Sequence, residues 1–251
     1  MNKNVSIAIT AALVMNGGIV NAQEATNIGK HNITLSKDVM TPETLWAMGR
    51  IGSAQASPDG NKIVYQVGYY SVKENRGHQV IYVMDSDGQN VRQLTTSAKS
   101  EGSPVWLDNH TIAFLLDGQI WSMNSDGTNR KKLSSSDIEI EGFRFSPDGK
   151  KVLLIKSIPY YGTIKKNPSD LPKASGRLIT DMNYRHWDHY VETIAHPFVA
   201  EVTANGISKN DVDIIEGEPY ESPLAPFGGI EQFDWSKDSK QIAYTCRKKE
   251  G

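Results

Sequence analysis

The chain has 251 residues, enough for one sizeable core, with 38% hydrophobic residues and 27 basic against 29 acidic side chains. A net charge of −2 lacks the basic excess of a nucleic-acid binder. The single cysteine, Cys246, excludes an internal disulfide and a cysteine-built zinc centre.

Residues 1–22 read as a secretory signal peptide. Lys3 supplies the positive start, residues 5–14 a short apolar run, and Val20-Asn21-Ala22 the small side chains a signal peptidase reads, so cleavage after Ala22 is expected. The run is too short to span a bilayer comfortably. An exported chain without disulfides fits a periplasmic or secreted location in a bacterial envelope, with no membrane attachment after cleavage. Residues 23–45 form a lead-in segment, in which Thr41 caps a single helical turn opened by Pro42.

From residue 46 onward the sequence repeats itself. The stretch Ile81-Tyr82-Val83-Met84-Asp85-Ser86-Asp87-Gly88 aligns without a gap with Ile120-Trp121-Ser122-Met123-Asn124-Ser125-Asp126-Gly127. Both continue through basic residues to Leu94-Thr95 or Leu133-Ser134. Each copy reads as strand, Asp-Gly turn, strand, because glycine adopts the positive φ such turns need. A second repeat interleaves: Ser57-Pro58-Asp59-Gly60 and Ser146-Pro147-Asp148-Gly149, with looser copies at Trp106-Leu107-Asp108-Asn109 and Trp235-Ser236-Lys237-Asp238. Proline presets the turn, Asp or Asn tolerates its third position, and Gly relieves the exit.

Together these give units of four antiparallel strands every ~40 residues, the size of a β-propeller blade. The fold class is therefore all-β, with about three and a half blades after the signal peptide. Blades are expected near 46–98, 103–135 and 142–217, with a fourth opening near 230, all within a partial propeller over 46–251. A half blade leaves an open edge, so the sequence is expected to be the front piece of a longer protein. Blade three is overlong: Gly149 to Gly206 is about twice the separation of Gly60 from Gly88. The excess falls at about 158–191, an insertion rich in tyrosine and in charged residues. Long loops leaving a rigid blade often carry binding function. Trp46, Trp106, Trp121 and Trp235 are expected in the core between blades, and Cys246 as buried filler in a strand. Glu216 and Glu218 read as a solvated turn. His186 and His189 flank Asp188, but two histidines three apart do not share a face well on a strand and no third ligand is evident, so no metal site is expected, nor any cofactor.

With these blades in view, the chain resembles the N-terminal propeller of the prolyl oligopeptidase family of serine peptidases, in its acylaminoacyl-peptidase and dipeptidyl-peptidase V branch. The resemblance rests on the lead-in Met40-Thr41-Pro42-Glu43-Thr44-Leu45-Trp46, the Ser-Pro-Asp-Gly blades, and Tyr184-Arg185-His186-Trp187-Asp188 followed by His196-Pro197-Phe198-Val199. It implies a propeller that caps an α/β-hydrolase domain, filters short peptides by size and helps hold their N-termini. The chemistry would lie on a Ser-Asp-His triad with a Gly-x-Ser-x-Gly elbow, a motif this chain lacks, so no catalytic residue carries over and the chain alone is expected to be inactive. The resemblance also implies an insertion that meets the substrate amine, which makes Asp181, Tyr184, Arg185, Trp187, Asp188 and Glu192 the candidate substrate-binding residues. The rival reading is a periplasmic propeller like that of the Tol system, which binds protein partners without catalysis.

Overall fold

The computed structural model describes residues 28–33, 39–160, 164–165, 171, 173–176, 178–179, 185–186 and 189–248. Among the described residues the first regular element is a short helix, α1 (Pro42–Ala47), and the Thr41 hydroxyl accepts the Thr44 amide at 3.2 Å as its cap. Strands β1 (Arg50–Ala56), β2 (Lys62–Ser71), β3 (Arg76–Asp85) and β4 (Arg92–Gln93) form the first antiparallel sheet, in chain order. Strands β5 (Glu101–Trp106), β6 (Thr111–Leu116), β7 (Gln119–Asn124) and β8 (Lys131–Lys132) repeat it as the second. The third begins with β9 (Gly142–Phe145) and β10 (Lys151–Pro159). Two small ribbons follow: β11 (Ile164–Lys165) with β12 (Leu178–Ile179), and β13 (Arg185–His186) with β14 (His189–Tyr190). The third sheet then closes with β15 (Thr193–Thr203) and β16 (Gly206–Asp213), and β17 (Phe233–Trp235) with β18 (Ile242–Tyr244) makes a two-stranded fourth. Three full blades and a partial one are thus present, as the repeats predict.

Side-chain alternation explains how the sheets stack. On β6, Ile112 and Phe114 face the first sheet, where they and Met123 of the neighbouring β7 meet Val64 and Ile81. Ala113, between them, turns the other way with Ile120 onto Phe143, Leu154 and Phe198 of the third sheet. On β10, Leu154 looks back to the second sheet while Leu153 and Ile155 look forward to Phe233 of the fourth. A central blade is apolar on both faces, so its second strand reads as a continuous apolar run.

The Ser-Pro-Asp-Gly turns share one hydrogen-bond pattern. The Ser57 hydroxyl donates to Asp59 at 2.6 Å, Ser146 to Asp148 at 2.7 Å and Ser236 to Asp238 at 2.7 Å. In each turn the serine hydroxyl, helped by a backbone N–H, holds the carboxyl below the ordinary carboxylate range. A depressed folded-state value means that these carboxylates stabilise the fold above the usual carboxylate range and lose that contribution as pH falls through the lowered values. Melting temperature is therefore expected to fall on the acid side, and a D59N/D148N/D238N triple variant to flatten that limb. An unchanged acid limb in the triple variant would overturn this assignment.

The outer strands β4 and β8 are only two residues long. The reason lies in the Leu-Thr and Leu-Ser pairs that follow: the buried Thr95 hydroxyl accepts the Ile81 amide at 2.9 Å and the Ser134 hydroxyl the Ile120 amide at 2.8 Å, so side chains take over the ladder. Trp46 is not in the core between blades; α1 lies beyond the sheet end, and the residue is 43% exposed. Cys246 is half-buried in the segment after β18, not within a strand.

Candidate functional site

Strand direction sorts the connections into two ends. The lead-in helix, the β2–β3 hairpin and the long β10–β15 connection share one end; the Ser-Pro-Asp-Gly turns and the Asp-Gly turns share the other. At the first end Arg50 lies over Tyr70 (4.3 Å) and Trp46 (5.0 Å), with the two rings edge to face at 5.7 Å. Beside them Trp46, Tyr70, Val72 and Arg76 line a shallow cleft of about 330 Å³.

The β10–β15 pair stays in register out to Pro159 opposite Thr193, and the residues between them leave the sheet. Its root is fixed by a small apolar cluster of Tyr160, Val191 and Ile194, and by the Tyr160 amide donating to the Glu192 carbonyl at 2.9 Å. Deeper in the same strands, Lys156 and His196 stand directly opposite each other. Lys156 Nζ donates to both Asp211 oxygens at 2.8 and 2.7 Å and lies 3.9 Å from the centre of the Phe198 ring. His196, fully buried, bonds through Nδ1 to Asp213 at 2.7 Å. Among the described residues its Nε2 has no hydrogen-bond partner, and no hydroxyl or thiol there completes a nucleophile–base pair.

Of the six candidate residues, Asp181, Tyr184, Trp187 and Asp188 lie outside the described residues. Arg185 is described only as the first position of β13, paired in register with Tyr190. Glu192 is exposed at the root of the connection. His186 and His189 are register partners across the β13–β14 ribbon, which corrects the expectation that the two positions share no face. No group of three or more potential metal ligands occurs among the described residues. The Lys156–Asp211 and His196–Asp213 pairs were not singled out from the sequence. Their signal was a lysine inside the apolar run VLLIKSI and an Asp-x-Asp alternation on β16.

Stacked four-stranded antiparallel sheets with a long connection at one end define a propeller-type chain. Along its whole length the chain is homologous to dipeptidyl-peptidase 5, and its resemblance to the propeller part of the prolyl oligopeptidase family stands. It is 41% identical over 256 residues to dipeptidyl-peptidase 5 of Porphyromonas gingivalis, a match that takes in 100% of this chain and 36% of that protein. It is 36% identical over 223 residues to dipeptidyl-peptidase 5 of Porphyromonas endodontalis, covering 87% of this chain and 32% of that one. The chain thus spans about a third of the length of the curated relatives it matches. Among solved structures it is similar to Pyrococcus horikoshii acylaminoacyl peptidase, with a TM-score of 0.49 and 11% identity over 68% of this chain and 26% of that one. No family model matches. No helix among the described residues is long and apolar enough to cross a membrane.

Proposed function

We propose that this chain is the non-catalytic, substrate-gating propeller of an exported serine exopeptidase of the dipeptidyl or acylaminoacyl type. Its partners are short peptides and an α/β-hydrolase domain that carries the serine. The observation that carries the reading is the 41% identity to a dipeptidyl-peptidase 5 across the entire chain. The absence of a Gly-x-Ser-x-Gly elbow supports a gating rather than a cleaving role. In this reading the β10–β15 connection, rooted by Tyr160, Val191 and Ile194, reaches toward the substrate amine with Asp181, Asp188 or Glu192, and the signal peptide over 1–22 delivers the chain to the periplasm or beyond.

The test compares the full product of the coding frame with the 251-residue chain on dipeptidyl chromogenic substrates. The full product is expected to cleave them in a manner blocked by a serine-directed inhibitor, and the 251-residue chain to be inactive. Replacing residues 160–192 by a short turn in the full product is expected to raise KM for free-amine substrates about 10–100-fold, the worth of a charge-assisted hydrogen bond. A full product without inhibitor-sensitive cleavage overturns the peptidase reading. An unchanged KM overturns the role of the insertion.

A further inference from the structure

Three joints separate the four sheets, and at the turn end two of them are tied alike. At the first, Trp106 Nε1 donates to the Gln55 carbonyl at 3.1 Å, the Trp106 amide donates to Gln55 Oε1 at 2.7 Å, and the Asp59 amide donates to Asn109 Oδ1 at 3.0 Å. At the third, Trp235 Nε1 donates to the Arg144 carbonyl at 3.0 Å, Arg144 Nη1 to the Phe233 carbonyl at 2.5 Å, and the Asp148 amide to Ser239 Oγ at 3.0 Å. The matching positions at the second joint are Val105, Phe145 and Gly149. Valine has no polar reach, phenylalanine no ring N–H, and glycine no side chain, so none of the three ties can form.

A cavity of about 530 Å³ opens at the joint that lacks these three ties, within the size range of small-molecule sites. Its apolar walls include Trp106, Leu133, Phe145 and Val202. Nothing lies within 4 Å of where a Gly149 Cβ would stand, which leaves its mouth clear. The far wall is fixed: the Ile207 amide donates to the Leu133 carbonyl at 2.7 Å, and that carbonyl lies 2.6 Å from where a Cβ on Gly206 would sit, so only glycine permits the approach. Of the two charged side chains on the cavity, Asp148 is engaged by Ser146 Oγ at 2.7 Å and the Lys150 amide at 3.0 Å. Lys131 is exposed, and among the described residues its ammonium has no partner.

We propose that this cavity is a binding site for a small amphipathic carboxylate, its aromatic or branched apolar body held between Phe145, Trp106 and Leu133 and its carboxylate on Lys131. The site lies at the end of the sheets opposite the β10–β15 connection, so it is separate from the candidate site above and does not depend on the peptidase reading.

The test is titration calorimetry and ligand-observed NMR on the 251-residue chain with indole-3-propionate and its uncharged amide. Saturable binding of the acid is expected, about 10–100-fold tighter than that of the amide. Lys131→Gln, an exposed change that leaves the core untouched, is expected to bring the acid down to the affinity of the amide without changing the amide. Phe145→Leu, which removes an aromatic wall of the cavity, is expected to weaken binding of the acid and the amide by a similar factor. Lack of saturable binding, equal affinities for acid and amide, or indifference to both substitutions would each overturn the proposal.

Discussion

A chain carrying Phe114→Ala is expected to lose roughly 3–5 kcal/mol of unfolding free energy, read as a lowered urea midpoint at unchanged slope. The side chain is fully buried between the first two sheets and stands opposite Trp121 in the β6–β7 register. Its ring also carries the Arg130 guanidinium at 5.0 Å, and Arg130 in turn pairs with buried Glu101. Truncation therefore opens a cavity and removes the apolar floor beneath an ion pair. Phe114→Leu keeps most of the volume and is expected to cost much less. A loss below about 1 kcal/mol for the alanine variant would mean that this joint does not hold the sheets together.

Lys156→Met is expected to destabilise by about 3–5 kcal/mol, because it leaves the Asp211 carboxylate largely buried and unpaired. The side chains of the pair are 6% and 13% exposed, and no second cation pairs with Asp211 among the described residues. A Lys156→Met/Asp211→Leu double variant replaces both charges with apolar groups and is expected to recover most of the loss. Chemical denaturation of the two single variants and the double variant gives the coupling directly. Additive effects would show that the two side chains act independently. The pair sits three register steps below the last rung of β10–β15, so the single variants also test whether a loosened root frees the long connection.

The blades were legible because their signals are local. The turn sequence Ser-Pro-Asp-Gly fixes its own hydrogen bonds, and the alternation on VLLIK fixes which residues face which sheet. Even the Leu-Thr and Leu-Ser pairs were visible as a repeat, although not what their hydroxyls do for the ladder. Trp46 was misplaced because a tryptophan beside a strand looks the same whether it packs between sheets or caps their end. The buried Lys156 and His196 pairs were missed because their partners lie on β16, across the long connection, where spacing carries no information. The ties between blades were hidden for the same reason: Gln55 and Trp106, or Arg144 and Trp235, meet only once the sheets are stacked.

The rim of the assembly is guarded against stray strand pairing in two different ways. On the first two blades the outermost strand is two residues long, too short a ladder to template another chain. On the third the outer strand runs Gly206–Asp213 but carries the exposed Lys209, a charge that an incoming strand would have to desolvate. The inner strand of the first blade is open: all seven residues of β1 are exposed, and Ile51 is 72% open to solvent. Self-association of the isolated chain at high concentration would therefore begin at the hub of the propeller and not at its circumference.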